Sequence, residues 1–335
     1  MKALMVKMPN EATIVDIPQP VAMAGDAILQ VRMVGMCGSD LTTFRGKNPM
    51  VSYPRVLGHE IAATVLDPGS SGLIAGSNVA VLPYTSCGRC ASCRRGKTNA
   101  CQHNQTMGVQ RDGAMTEFLS VPGENLYPAN LSLKELALVE PLTVGAHAVA
   151  RGRVEAEDTV AVFGCGGVGL GAISAAAFRG ATVIAIDVND IKLETARKAG
   201  AKHLIHSGRD DLHSNLAEFT GGYGPDVVIE AIGSPLTFRA AIEEVAFTGR
   251  VVYIGYAKEK VAYETRLFVQ KELDIMGSRN ALPEDFREVI RMLEAGRFPV
   301  NEAISATVPL EDAPRMLAEW NESPEKFTKI LVDLR

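Results

Sequence analysis

Four of the six cysteines crowd together as Cys87-x2-Cys90-x2-Cys93-x7-Cys101. Four thiolates at that spacing are enough to surround one tetrahedral ion. A closed all-sulfur shell leaves no open coordination position, so the expected role is a structural zinc that pins a loop, residues 86–102, with little core of its own. Arg89, Arg94, Arg95 and Lys97 make this loop basic, but no aromatic residues are interleaved, and a nucleic-acid-binding zinc ribbon is the weaker reading.

A second constellation lies downstream. Gly164-Cys165-Gly166-Gly167-Val168-Gly169 follows an apolar run, Thr159–Phe163, and opens a helix-length segment, Gly167–Arg179. In that context Gly164 permits the tight turn, Gly166 lets a pyrophosphate approach the backbone, and Gly169 lets helix and strand pack closely. Gly167 and Val168 begin the helix whose unpaired N–H groups face the phosphates. Cys165 is a small filler. Asp187 ends the next strand, where a carboxylate accepts hydrogen bonds from both adenosine ribose hydroxyls and repels a 2′-phosphate. NAD is therefore expected over NADP. Asp187 could instead cap the next helix, although Asn189 and Asp190 are equally suited to that.

Three further pieces are separated in sequence: Cys37-Gly38-Ser39-Asp40, Gly58-His59-Glu60 and Glu140-Pro141-Leu142. Singly, each reads as structural: a small buried thiol, a satisfied core histidine, a surface carboxylate. Their joint occurrence beside a dinucleotide motif and a cysteine cluster favours a site.

The elements that must position these residues fall into two textures. A chain of 335 residues predicts two domains. Up to about residue 145, short β-like runs such as Ile28–Val34 and Asn78–Pro83 alternate with turn signals (Pro9-Asn10, Pro68-Gly69), as in an antiparallel, barrel-like β domain. From about 159, strands at Thr159–Phe163, Thr182–Ile186, Asp226–Glu230 and Arg250–Ile254 alternate with helices at Gly167–Arg179, Ile191–Ala199 and Thr237–Val245. This is the pattern of a doubly wound parallel sheet, an α/β Rossmann domain. After 281 follow a helix Glu284–Glu294, a β-like Ile304–Pro309, a helix Glu311–Trp320 and a final strand Lys329–Leu334.

Net charge is −5, with 47% hydrophobic and 22% charged residues and no basic stripe, which argues against nucleic acid as a partner. No apolar run of about 18 residues is present to cross a membrane. The N-terminus lacks a signal-peptide pattern. Clustered cysteines in such a chain favour metal over disulfides, and the cytoplasm is the expected compartment.

Taken together the motifs resemble the zinc-containing medium-chain dehydrogenase/reductase family, which includes alcohol, sorbitol and threonine dehydrogenases, over essentially the whole chain. The resemblance implies a GroES-like catalytic domain at 1–145, a Rossmann NAD-binding domain at 146–281 and a return to the first domain at 282–335, with the active site in the interdomain cleft and a homodimer or homotetramer paired through the Rossmann edge. Glu140-Pro141-Leu142-Thr143-Val144-Gly145 resembles the polyol branch. Tyr53–Glu60 and Met276-Gly277-Ser278-Arg279-Asn280 are closest to enzymes of sugar alcohols and hexonates, such as L-galactonate or L-gulonate 5-dehydrogenases.

Carried over, the pattern implies a catalytic zinc held by Cys37 and His59, with Glu60 and Glu140 completing the shell or alternating with water and substrate. That makes two zincs per chain. Ser39 would accept a hydrogen bond from the bound alcohol, and hydride would pass to NAD. Asp40 would orient His59 through its second ring nitrogen. Lys192 would approach the adenosine ribose, and Arg279 would sit near nicotinamide and substrate, suited to a hydroxyl-rich or carboxylate-bearing molecule. One position departs from the pattern: many relatives carry a histidine three residues after the Ser/Thr, and here that position is Thr42, which cannot hold a proton as imidazole does. The function so implied is oxidation of a secondary alcohol, or reduction of the ketone, on a polyol or sugar acid. The rivals are a threonine 3-dehydrogenase, a zinc-free quinone or enone reductase of the same fold, and a non-enzymatic regulator that binds NAD and zinc.

Overall fold

A computed structural model describes residues 1–334. Along the strand Asp26–Met36, Ala27, Leu29, Val31 and Met33 are buried while the residues between them are partly exposed, the period of two that a sheet with one packed face demands. This strand is the hub of a seven-stranded sheet. It pairs antiparallel with Glu60–Asp67, Phe118–Pro122 and Lys329–Asp333. Beyond Glu60–Asp67 lie Asn78–Val81 and Leu126–Pro128, and beyond Lys329–Asp333 lies Ile304–Pro309. A smaller sheet joins Lys2–Met8 to Glu11–Asp16 and Arg55–Val56.

The expected antiparallel domain is present with one exception, since Ile304–Pro309 and Lys329–Asp333 run parallel. A parallel pair needs a crossover, and the helix Ala313–Glu322 supplies it, burying Met316, Leu317 and Trp320 in the same core as Leu29, Phe44 and Ile61.

The second unit holds one fully parallel sheet of six strands, ordered His203–His206, Thr182–Asp187, Thr159–Phe163, Val227–Glu230, Arg250–Tyr253 and Asp274–Gly277. Counted from Thr159–Phe163 this is the order 3-2-1-4-5-6 of a doubly wound dinucleotide fold. Its central strands are buried almost without interruption, as expected of a sheet covered on both faces. Close helix packing depends on glycine: a Cβ at Gly145 would lie 2.2 Å from the Ala172 nitrogen, and one at Gly171 would lie 2.6 Å from the Leu142 carbonyl. The helices Leu133–Arg151 and Gly167–Phe178 therefore meet backbone to backbone.

Contacts divide the chain into Met1–Glu140 with Val300 to the C-terminus, and Pro141–Pro299. The expected boundaries at 145/146 and 281/282 thus differ from those found. The first division falls within the helix Leu133–Arg151, where Pro141 has no N–H to continue the ladder. Residues 282–299 belong to the parallel-sheet unit because the helix Pro283–Glu294 is fixed there: Glu288 takes both Nε and Nη2 of Arg179 at 2.8 Å, and Asp285 meets His147 at 2.8 Å. No helix among the described residues is long and apolar enough to cross a membrane.

Candidate active site

Cys37 caps the helix Gly38–Phe44, Glu60 opens the strand Glu60–Asp67, and His59 immediately precedes it. One ligand atom from each of Cys37, His59 and Glu60 lies within 4.8 Å of the others, although 22 residues separate Cys37 from His59. His59 and Glu60 are buried. Glu140 is also buried, and it accepts a short hydrogen bond from the hydroxyl of Tyr84.

The cluster is electrostatically loaded. Burial alone would lower the His59 pKa, but the charges of Cys37, Asp40 and Glu140 outweigh it and hold the ring well above its ordinary range. Burial raises the Glu140 carboxyl, opposed by His59. Burial likewise pushes Tyr84 well up, reinforced by Glu140, so the phenol stays a proton donor.

Glu60 is held from a distance in sequence. Lys329 Nζ donates to Glu60 Oε1 at 2.5 Å and Oε2 at 2.7 Å, and to the Met36 carbonyl at 3.2 Å. Lys329 is 6% exposed and Glu60 0%. The strand between them carries Gly35, paired with Glu60 on one side and Leu331 on the other. A Cβ at Gly35 would lie 1.9 Å from Glu60 Oε2, so only glycine lets the carboxylate cross. Sequence reading missed Lys329 and Tyr84. A lone lysine within the apolar run Lys329–Leu334 is the only signal that could have pointed to the first.

The donor set fits zinc: a soft cysteine sulfur, a borderline imidazole nitrogen and a hard carboxylate oxygen form the mixed shell that this borderline ion accepts. Two buried polar atoms here, His59 Nδ1 and Ser39 Oγ, have no hydrogen-bond partner.

Asp40 differs from expectation. Its carboxylate accepts the Cys37 amide at 2.9 Å and the Gly58 amide at 3.3 Å, so it ties the two ligand-bearing segments together through their backbones and leaves His59 Nδ1 without a partner. Thr42 also differs. Its hydroxyl donates to the Ser39 carbonyl at 3.0 Å, a bond back along its own helix that commits its proton.

In the second unit the remaining residues gather at the carboxyl ends of the parallel strands, the usual ligand edge of such sheets. Gly164 has φ +96°, Gly166 caps the helix Gly167–Phe178, and a Cβ at Gly169 would lie 1.8 Å from the Gly164 carbonyl. A Cβ on Gly166 would meet nothing within 4 Å, leaving open space over the turn where Val168 is partly exposed. Asp187 Oδ2 accepts the Cys165 amide at 2.8 Å, and Oδ1 accepts Val188 and Asn189 amides at 2.8 and 3.1 Å. Asn189, not Asp187, caps the following helix by accepting from Ile191 and from Lys192. Lys192 is partly exposed in that first turn, and Arg279 lies just past the strand Asp274–Gly277. Glu230, which sequence reading missed, is fully buried and accepts from the Ile232 and Gly233 amides and the Thr237 hydroxyl, shaping the loop beyond its strand.

Cys87, Cys90, Cys93 and Cys101 form a second metal-capable cluster, all four thiols unpaired by disulfides. Cys90 Sγ lies 3.4 Å from Cys93 Sγ and 3.9 Å from Cys101 Sγ. Backbone amides of Cys87 and His103 point at Cys101 sulfur, each at 3.3 Å. The Ser92 hydroxyl, with the amides of Cys93 and Gln102, pushes the Cys90 thiol down to about 5. At Cys90 such donors favour thiolate, whereas burial and the neighbouring Cys90 and Cys101 push the Cys93 thiol up to about 11; the four sulfurs together fit a structural zinc site.

Residues 23–131 match the model of the alcohol dehydrogenase GroES-like domain, and residues 167–295 match that of zinc-binding dehydrogenases. L-galactonate-5-dehydrogenase of Escherichia coli K12 is 33% identical over 312 residues, covering 92% of each chain. Sorbitol dehydrogenase of Bacillus subtilis 168 is 34% identical over 345 residues, covering 99% of this chain and 97% of that one. The solved structure of the RspB short chain alcohol dehydrogenase from Escherichia coli CFT073, complexed with NADH, superposes with a TM-score of 0.91 at 29% identity, covering 100% of this chain and 99% of that one. The chain therefore belongs to the zinc-type medium-chain alcohol dehydrogenases, oxidoreductases built from a GroES-like domain and a Rossmann-like domain.

Proposed function

We propose that this oxidoreductase uses NAD to interconvert a secondary alcohol and a ketone on a polyol or sugar acid. The observation that carries the reading is the convergence of a partly exposed Cys37 with the buried His59 and Glu60 within 4.8 Å. Cys37, His59 and Glu60, with Glu140 beside them, would hold a zinc ion, whose Lewis acidity would let a hydroxyl ionise near neutral pH. The glycine turn and the start of the helix Gly167–Phe178 would hold the pyrophosphate of NAD, and Asp187 its ribose; bound there, NAD would supply the hydride acceptor.

The chain's own residues do the rest. Lys329 and Gly35 hold Glu60 in one place, and Tyr84 holds Glu140. Asp40 fixes the Cys37 segment against Gly58, the residue before His59. The Ser39 hydroxyl, buried and without a partner, accepts the hydrogen bond of the substrate alcohol. Its proton does not continue through Thr42, whose hydroxyl is committed to the Ser39 carbonyl. Arg279 and Lys192 are assigned to substrate and ribose on the family pattern.

The test is an activity screen with NAD⁺ over polyols, hexonates, threonine and simple secondary alcohols, following NADH. Turnover of a polyol or hexonate that is lost on chelation and restored by zinc is expected. Turnover of threonine alone, or chelator-insensitive enone reduction, would overturn the reading.

A further inference from the structure

Residues 107–115 form a turn laid along the backbone that delivers His59. Gly113, Ala114 and Met115 donate their amides to Val56, Gly58 and Leu57, each at 2.9 Å. A Cβ at Gly108 or Gly113 would come within 2.7 Å or less of the Leu57–Gly58 backbone, so the turn has no slack. On its other side the same turn meets Pro83, the residue before Tyr84. Met107 N–H donates to the Pro83 carbonyl at 3.1 Å, and Arg111 Nη2 donates to it at 3.3 Å. Arg111 is thus fixed between the segment supplying His59 and the one supplying Tyr84, the partner of Glu140.

Its charge is unanswered. Asp112, next in the chain, turns to Arg55 at 2.9 Å and to the Val56 amide at 3.1 Å. Arg111 Nε is buried with no hydrogen-bond partner, and no carboxylate among the described residues pairs with the guanidinium. Burial lowers its pKa with nothing to offset that. A guanidinium offers five donors in a rigid fork, and the Pro83 carbonyl takes only one of its nitrogens. Desolvating a cation without a partner is costly, so such a group calls for an anion that arrives from outside.

The turn that carries it joins the backbone leading to His59 and the backbone leading to Tyr84. Lys329 is committed to Glu60, and a zinc on Cys37, His59 and Glu60 would take the reacting hydroxyl, so neither is left for a carboxylate elsewhere on the substrate. An anionic substrate needs a cation of its own to enter. We propose that Arg111 is that cation, the group that binds the carboxylate of a sugar-acid substrate through its unused N–H donors. This role deepens, and rests on, the assignment of the cluster as the centre of alcohol oxidation. One guanidinium balances one carboxylate; a phosphate ester carries about −1.5 to −2 at neutral pH and calls for more, whereas Arg55 is bound to Asp112 and Arg45 to Asn321.

The test compares L-galactonate and L-idonate with the neutral hexitols and the hexitol 1-phosphates of the same configuration, in wild type, Arg111→Met and Arg111→Lys. Wild type is expected to favour an aldonate over its hexitol, and the ratio of their kcat/KM values should fall about 30-fold or more in Arg111→Met, mainly through KM, because a buried charge pair loses its partner. Arg111→Lys should retain part of the preference, since it keeps the charge and loses the fork. If Arg111→Met does not fold, Arg111→Gln carries the same comparison. A wild-type preference for the hexitol or its phosphate, or an unchanged ratio in the variant, overturns the proposal. Calorimetric binding of the two aldonates in the presence of NADH keeps it separate from the dehydrogenase reading. If no alcohol is oxidised but aldonate binding still weakens on Arg111→Met, only the dehydrogenase reading fails. If binding is unchanged, the anion site fails whatever the turnover.

Discussion

Lys329 and Glu60 meet across a strand that belongs to neither of them. The ammonium reaches both carboxylate oxygens, at 2.5 and 2.7 Å, over Gly35 of the strand between. Both partners are buried, so the pair is a commitment of the fold: with the ammonium gone, Glu60 is a buried charge without compensation. Lys329→Met should destabilise the protein by about 3–5 kcal/mol, read as a lower urea midpoint. In a Glu60→Gln background the same substitution should cost less than half as much. Equal costs in the two backgrounds would mean that the pair is not coupled.

Gly35 gives a second handle on the same carboxylate. A Cβ there would lie 1.9 Å from Glu60 Oε2, so Gly35→Ala must displace the carboxylate from Lys329 and from Cys37 and His59. Zinc content should then fall from about two to about one per chain, because the four-cysteine shell is untouched. Retention of both metals in a folded Gly35→Ala protein would show that Glu60 is not needed to hold one.

What could be read ahead of the structure was what is local. The cysteine spacing and the glycine turn specify their geometry within a few residues, and the strands Thr159–Phe163 and Ile304–Pro309 have the bounds their apolar patterns predict. The helix Leu133–Arg151 went unread because Pro141 and Gly145 are breakers by local rule, tolerated here only because Gly145 lets another helix approach. Lys329 escaped notice because its partner is 269 residues away, and no period or spacing links them. Asp40 was given the wrong partner for the opposite reason: an aspartate three residues into a helix can turn back to the Cys37 amide as readily as toward an imidazole, and only the fold decides. The helix Pro283–Glu294 was placed in the wrong unit because its amphipathic face says that it packs, and not against what.

The four-cysteine loop supplies a control for the whole metal assignment. Cys87→Ser opens its sulfur shell, and zinc should drop from about two to about one per chain with the catalytic metal retained. A wild type that holds a single zinc, and loses it on this substitution, would leave Cys37, His59 and Glu60 with no metal to bind.

Asp187 has two duties that one substitution can separate. Its carboxylate anchors the glycine turn through the Cys165 amide at 2.8 Å, and in the proposed function it selects NAD by repelling a 2′-phosphate. Asp187→Asn keeps an acceptor for the Cys165 amide, turns its NH2 toward the Val188 and Asn189 amides, and removes the charge. The NAD/NADP ratio of kcat/KM should fall about tenfold or more, with a loss of about 1–3 kcal/mol of stability from the amides left without an acceptor. An unchanged ratio in the folded variant would defeat the selectivity role and leave Asp187 to the turn alone.

Proton competition at His59 sets how the metal-free protein takes up zinc. The neighbouring Cys37, Asp40 and Glu140 charges overcome burial and hold the folded ring well above its unfolded 6.5, so without metal it is protonated at neutral pH. A group raised in this way stabilises the folded chain fully below the unfolded value, and that contribution is lost as pH climbs through the folded one. Zinc needs the neutral ring and must displace the proton. Affinity at this site should therefore rise with pH, by about tenfold per unit for the His59 proton, until the ring's folded pKa is passed. Chelator competition on the Cys87→Ser protein, which isolates this site, measures the slope. A flat profile from pH 6 to 8, spanning the ordinary imidazole range of about 6.5, would mean that His59 is already neutral and that the three anions do not govern it.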